Sequence, residues 1–451
     1  MGFIKKSMQK RSSPGQSRQQ DEQQRLSSDL PFNVNQFKEI FSYPVNNALK
    51  VREVSLPFFN NVGIILFLEG AADTSIIDKH IVEPLMEEPA IPLPNEDIAS
   101  ILLKNILTVY SGKIISTFQD ATHELLNGNT VILFEGEELA LSIETPGFKN
   151  RSISGPSSEN VLKGPKEAFV ETAAVNRSLI RKEIKDQNLM CEFINIGERA
   201  AKQVSVMYVK HIANPEMVEH VKERIAQIKS DIVLGLSMLE QHIEERPYSL
   251  IPSALTTERP DRACAFLLEG HVILLMENSP YALIVPVTFW SFFHTAEDQY
   301  LRWPYGNFIR IVRLLAFFVA LLTPSLYIAV STFHEEMLPT DLVLAIGATR
   351  ERVPFPAFVE VLIMEIAFEL LREAGIRIPQ MMGPTIGIVG ALILGQAAVD
   401  ANIISPILVI IVALTGLSSF AIPDVSFNFA VRILRFFILL SAAFMGFLGI
   451  A

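Results

Sequence analysis

Charge is what the last third of this sequence lacks. From Pro379 to Ala451 the charged side chains are Asp400, Asp424, Arg432 and Arg435 and no others. A water-facing domain needs far more polar cover than that, so lipid is the solvent this stretch calls for. Cysteine is nearly as scarce. Cys191 and Cys264 form neither a CxxC pair nor a metal-ligand spacing. That excludes a disulfide scaffold, fits a reducing compartment and leaves both as small buried hydrophobes. Positive charge is in deficit as well. A formal net charge of −11 gives no indication of a nucleic-acid partner, which calls for a basic surface. No signal peptide is expected at the start of the sequence, because Lys5, Lys6, Lys10 and Arg11 interrupt any apolar run. The front half is therefore expected to be cytosolic. No catalytic set stands out either. His334-Glu335-Glu336 lacks the second histidine of a zinc protease motif, no P-loop or GxSxG occurs, and the eight histidines are scattered. No enzyme, cofactor or metal site is expected.

What is present divides the chain. Residues 1–30 are rich in Gln, Ser, Lys and Arg and bury too little apolar surface to order themselves, so they read as a disordered arm. Residues 31–150 read as a first α/β lobe. NVGIILFLEG ends in Gly70 and suits a buried strand. NEDIASILLKNIL sets Ile98, Leu102 and Ile106 at helical spacing behind an Asn95 cap, and NTVILFEGEELALSI reads as a hairpin around Glu135-Gly136-Glu137. Residues 151–278 read as a second lobe. KEAFVETAAVNRSLIRKEIKD is expected to be one helix, MCEFINIG and QVSVMYV strands, and PEMVEHVKERIAQI a helix opened by Pro215. RACAFLLEGHVILLM at 262–276 is expected to be strand–turn–strand, echoing 129–143 as a weak internal repeat.

From 279 to 451 a membrane domain is expected. SPYALIVPVTFWSFFHT is short for a span of ~20 residues and reads as interfacial or re-entrant. The stretch 308–333 is a clear span, kinked at Pro324, and further spans are expected at 383–399, 403–422 and 429–451. The basic clusters at Arg302–Arg313, Arg372–Arg377 and Arg432–Arg435 set the ends that stay inside. The fold class is thus an α/β cytosolic region of two small lobes followed by an all-α polytopic membrane domain.

Two features carry the candidate site. FPAFVEVLIMEIAFELLREAG at 355–375 is apolar enough for a membrane yet holds Glu360, Glu365, Glu369 and Glu373. Glu365, Glu369 and Arg372 share one helical face, with Glu360 nearly opposite. Carboxylates in that setting face a partner or a water-filled path. One reading is an interfacial helix with Glu369 and Arg372 paired. The other is a helix lining a cation path, each glutamate becoming a ring in a symmetric oligomer. The second feature is a stripe of Gly383, Gly387 and Gly390, with Gly395 beyond, which gives room for a neighbouring helix or forms a hinge or pore seam. Asp400 and Asn402 read as loop polars. The helix start after Gly164-Pro165-Lys166 could cradle an anion or simply cap a linker.

Several long segments also resemble one family. They are NRSISGPSSENVLKGPKEAFVETAAVNRSLIR at 150–181, TERPDRACAFLLEG at 257–270, NSPYALIVPVTF at 278–289, RERVPFPAFVEVLIMEIAFELLREAG at 350–375, and REAGIRIP followed by GPTIGIVGALILGQAAVDANIIS. In that order they are similar to the spore germination receptor A subunits, the GerA family, over roughly residues 33–451. The resemblance implies two cytosolic α/β subdomains ahead of a multi-pass domain in the spore inner membrane. It also implies a nutrient receptor subunit that oligomerises and signals or passes cations, working with a transporter-like B subunit and a lipoprotein C subunit. On that reading Glu360, Glu365, Glu369 and Arg372 are gate or ion-path residues. A sporulation-stage paralogue that amplifies ion release is the nearest alternative. A secondary transporter with a regulatory cytosolic domain is a more distant one, and few spans without an inverted repeat argue against it.

Overall fold

The computed structural model describes residues 25–59, 61–86, 97–107, 111–148, 156, 159, 161, 163–377 and 395–451. The chain divides into two compact units. One runs to Glu244 and includes Thr256–Pro286; the other comprises Glu245–Leu255 and Val287–Ala451.

The first unit holds two five-stranded sheets of the same topology. β1 (Leu49–Leu56), β2 (Asn61–Leu68), β3 (Gly112–Ile115), β4 (Thr130–Phe134) and β5 (Ala140–Ile143) pair in the order β1-β2-β4-β5-β3. The second sheet holds β6 (Leu189–Ile196), β7 (Lys202–Val209), β8 (Leu255–Thr257), β9 (Val272–Met276) and β10 (Ala282–Val285), in the order β6-β7-β9-β10-β8. Each β-strand of one sheet has its counterpart five numbers later in the other.

Sheet one is covered on both faces, which explains its apolar strands. Successive side chains of a strand point to opposite faces. Val131 and Leu133 of β4 therefore join α1 (Leu30–Ile40) and α2 (Phe118–Leu126) in one core. Ile132 and Phe134 join Ile77, Ile81, Leu85 and Leu102 in the other. A strand buried on both faces reads as a continuous apolar run rather than an alternation. The expected strand at 61–68 and the hairpin of β4 and β5 form as the sequence indicates. The helix at Ile98–Ile101 continues as a π turn through Leu102–Ile106, and its cap position is Asp97. Asn95 lies outside the described residues.

Three sequence expectations are corrected here. Residues 260–268 form a helix, α6 (Pro260–Leu268), not a strand. Ala263, Phe266 and Leu267 bury at i, i+3 and i+4, and Pro260 occupies the first turn, where its missing N–H costs nothing. The repeat is real, but its register pairs α6–β9 with α2–β4. Leu267-Leu268-Glu269-Gly270 matches Leu125-Leu126-Asn127-Gly128, and both glycines have positive φ, +96° and +88°. Both close their helix alike. Gly128 N donates to Leu125 O and Asn129 N to Glu124 O, while Gly270 N donates to Leu267 O and His271 N to Phe266 O.

The second correction concerns α3 (Ala173–Glu183), which starts seven residues later than the apolar pattern suggests. The Asn176 side chain binds both the N–H and the C=O of Val170, and Phe169 N donates to Glu258 O. These bonds hold 165–172 extended, so no helix start follows Lys166 to cradle an anion. Third, the first part of the stretch read as interfacial or re-entrant, Ala282–Val285, instead forms β10, which lies beside β9 with Ile284 opposite Ile273. Between β7 and β8 in the chain, α4 (Pro215–Ala226) has Pro215 in its first turn and Asn214 capping Glu216 N, as expected, and α5 (Leu236–Ile243) follows.

One consequence can be measured on the glycines. A Cβ at Gly128 would sit 2.5 Å from Ala71 O, whereas one at Gly136, with φ +79°, meets nothing. Gly136→Ala should cost about 1 kcal/mol of backbone strain. Gly128→Ala should cost about 3 kcal/mol, strain plus overpacking. Equal shifts in urea midpoint would show that the Ala71 carbonyl moves aside freely.

The second unit is helical. A short turn, Phe289–Phe293, and Glu297–Tyr300 lead into α7 (Trp303–Phe333). Its 31 residues extend about 46 Å, enough for a hydrocarbon layer of ~30 Å. α8 (Thr340–Arg350), α9 (Ala357–Arg377), a helical stretch at 395–400, α10 (Pro406–Phe420) and α11 (Val425–Met445) follow. α7 stays helical through the buried Pro324. Among the described residues, α7 and α11 are long and apolar enough to cross a membrane, and α10 is shorter at 15 residues. Ile328, Val361, Leu408, Val412 and Leu439 form the core between α7, α9, α10 and α11.

Candidate functional site

The charged side chains of α9 are arranged by their partners on three other helices. Glu360, three residues into the helix, is buried at 1% exposure. Its carboxylate accepts from Arg350 Nε at 3.2 Å and from the backbone N of Ser405 at 3.1 Å. It thereby ties the last residue of α8 to the residue that caps α10. Glu365 and Arg435 are both almost fully buried, at 1% and 2%, with 3.3 Å between Oε2 and Nη2. Among the described residues neither Glu365 oxygen, nor Arg435 Nε or Nη2, has a hydrogen-bond partner. Their contact is a buried charge pair without directional bonds.

Glu369 pairs with Arg432, whose Nε donates to Oε2 at 3.1 Å. The pairs run 365 with 435 and 369 with 432, so the partners ascend α9 while descending α11, as antiparallel helices require. Four residues on α9 rise about 6 Å and three on α11 about 4.5 Å, a difference that long side chains absorb. Arg372 takes a different partner. Its Nη2 donates to Ser419 Oγ at 2.6 Å, and its guanidinium lies over the Phe368 and Phe420 rings at 5.1 and 4.9 Å. That places a cation at the C-terminal turn of α10, the negative end of a helix. The expected Glu369–Arg372 pair is therefore replaced by two separate partnerships.

The glycine stripe is described only at its end. Gly383, Gly387 and Gly390 lie outside the described residues. Gly395 is buried, and a Cβ there would meet Val409 Cγ1 at an ordinary 3.7 Å. A tighter glycine between α9 and α10 is Gly416, where a Cβ would come within 2.4 Å of the Phe368 ring. Asp400 is exposed and accepts from the Gln396 side-chain amide, Nε2, at 3.1 Å, and Asn402 occupies a left-handed turn with φ +54°.

Ahead of α7, Asp298 forms a second charged knot. Its fully buried carboxylate accepts from Arg313 at 2.7 Å, Arg310 at 3.3 Å and Thr295 N at 3.1 Å. Burial would raise its pKa, but these donors together hold it below the usual aspartate range. The stabilisation is full above that range and is lost as pH falls through the lowered value. The first unit has a cavity of about 530 Å³ lined by Lys50, Arg52, Glu69, Asp78 and Ser178. Burial opposes the charge on Glu69, yet Lys50 at 2.9 Å and Arg177 at 3.2 Å keep its carboxyl below the ordinary range. No cluster of metal-ligating side chains occurs among the described residues.

Residues 35–451 match the model of the Bacillus/Clostridium GerA spore germination protein. The chain belongs to the GerA family of spore germination proteins. Curated relatives agree over most of their length. Spore germination protein KA of Bacillus subtilis (strain 168) is 38% identical, across 89% of this chain and 73% of its own. Spore germination protein GerLA of Bacillus cereus is 37% identical, across 90% and 82%. Among solved structures, the N-terminal domain of the A subunit of the Bacillus megaterium spore germinant receptor GerK3 aligns with a TM-score of 0.47 at 25% identity, covering 59% of this chain and 97% of that one.

For this GerA-family chain, sequence reasoning found the acidic helix but not its partners. Arg432 and Arg435 stood out only as rare charges opening a span. Their spacing of three, set against the spacing of four between Glu365 and Glu369, was the available signal. Arg350, Ser405 and Ser419 carried none.

Proposed function

We propose that this chain is a non-enzymatic subunit of a nutrient-responsive germination receptor in the spore inner membrane. It signals, or conducts cations, after a germinant binds a partner subunit. The observation that carries this is the family match over residues 35–451. Two helices long enough to cross a bilayer and the strongly apolar C-terminal third support a multi-pass placement with the α/β unit in the cytosol. A transporter-like B subunit and a lipoprotein C subunit are the proposed partners, and copies of this chain assemble with one another.

Within that assembly α9 is the proposed gate. Its buried carboxylates are held by arginines, so a change in packing that separates the pairs would free Glu365 and Glu369 to face a cation path. Glu365→Gln with Glu369→Gln should then alter cation flux through the reconstituted protein while membrane insertion stays intact. Unchanged flux would remove both from the path. The reading as a whole is tested on spores lacking the gene, given single amino acids, sugars and nucleosides. Loss of the response to one nutrient class supports a receptor subunit. Uniform slowing of all responses points instead to an amplifier of ion release.

A further inference from the structure

We propose that the aromatic side chains flanking the start of α7, together with the 245–255 loop, form a collar that seats in the lipid headgroup layer. The inference rests on the reading that α7 crosses a membrane. Trp290, Tyr300, Trp303 and Tyr305 are 60, 38, 81 and 56% exposed. Buried aromatics sit a few residues away, Phe292 and Phe293 at 1 and 4%, so the exposure is selective.

The order of side chains along α7 points to lipid and not to a protein partner. Tyr305, Phe308, Val312 and Leu315 follow at i, i+3, i+7 and i+10 and are all exposed, which makes one continuous stripe. It begins with Tyr305, a ring that carries a polar handle, and continues with purely apolar groups. That gradient matches the passage from headgroups to acyl chains, where Trp and Tyr collect.

The second element comes from elsewhere in the chain. The 245–255 loop belongs to the helical unit, and Ser253 O accepts from Val287 N at 3.1 Å, joining it to the segment that leads to Trp290. Its Tyr248 is 98% exposed, with Ile251 at 41%. Arg246 and Arg302, one in each element, are exposed as well and complement anionic headgroups.

The chain's two tryptophans are Trp290 and Trp303, so tryptophan fluorescence, excited selectively over tyrosine, reports on the collar alone. Full-length protein, and the Trp290→Phe and Trp303→Phe variants, would be reconstituted in phosphatidylcholine–phosphatidylglycerol vesicles carrying bromine either near the top of the acyl chains or near the bilayer centre. Each tryptophan should be quenched roughly twofold more by the shallow bromine than by the deep one, as expected for interfacial anchors. Stronger quenching from the bilayer centre overturns the collar. So does an absence of bromolipid quenching in protein that floats with the vesicles; protection from aqueous iodide in that case would assign the surface to a protein partner. Failure to float with vesicles at all would overturn the membrane reading together with the collar.

Discussion

Arg435→Ala should destabilise the helical unit by about 3–5 kcal/mol, the cost of leaving a buried charge without its partner. Glu365 and Arg435 are 1% and 2% exposed, so water cannot reach in to replace the lost cation. Replacing both, as Glu365→Met with Arg435→Met, should return most of that loss, because apolar groups of similar length remove both desolvation penalties. The measurement is a double-mutant cycle on thermal unfolding in mild detergent. A single-variant loss below about 1 kcal/mol, typical of solvated pairs, would show that this site is hydrated, and the argument for a locked gate would go with it.

Phe427→Ala should be nearly as damaging, at about 3–5 kcal/mol for a buried ring deleted from a close-packed core. Phe427 is 1% exposed. It stacks on Phe292 at 5.0 Å and Phe317 at 5.7 Å, and meets Phe289 and Phe293 edge-on at 5.6 Å each. This cluster joins the first turn of α11 to α7 and to the Phe289–Phe293 turn. Asp424 caps the helix through the Phe427 backbone N at 2.7 Å, and that bond survives the change, so the loss isolates ring packing. Phe427→Leu, which keeps much of the volume, should lose less. Equal losses would mean that the cluster tolerates a void, and that Phe427 is not central to how α7 and α11 pack.

The GerA-family helix at Ala357–Arg377 was legible because an apolar segment with four glutamates violates the ordinary cost of charge in that setting. Its pairing was not. Arg432 lies 63 residues from Glu369, and no local pattern couples them. The helix at Pro260–Leu268 was missed for the opposite reason. Its short apolar run suits a strand or a helix equally well, and the left-handed Gly270 that closes it resembles the end of a strand.

Composition and periodicity, which depend only on neighbours along the chain, determined the apolar character of the last third, the α/β front half and the helix that bears the acids. Tertiary structure alone decided the common order of the two sheets, the true register of their repeat and which arginine answers which glutamate. Those choices are made by packing between segments far apart in sequence, where the energy of burying a charge or a ring depends on what the fold places opposite it.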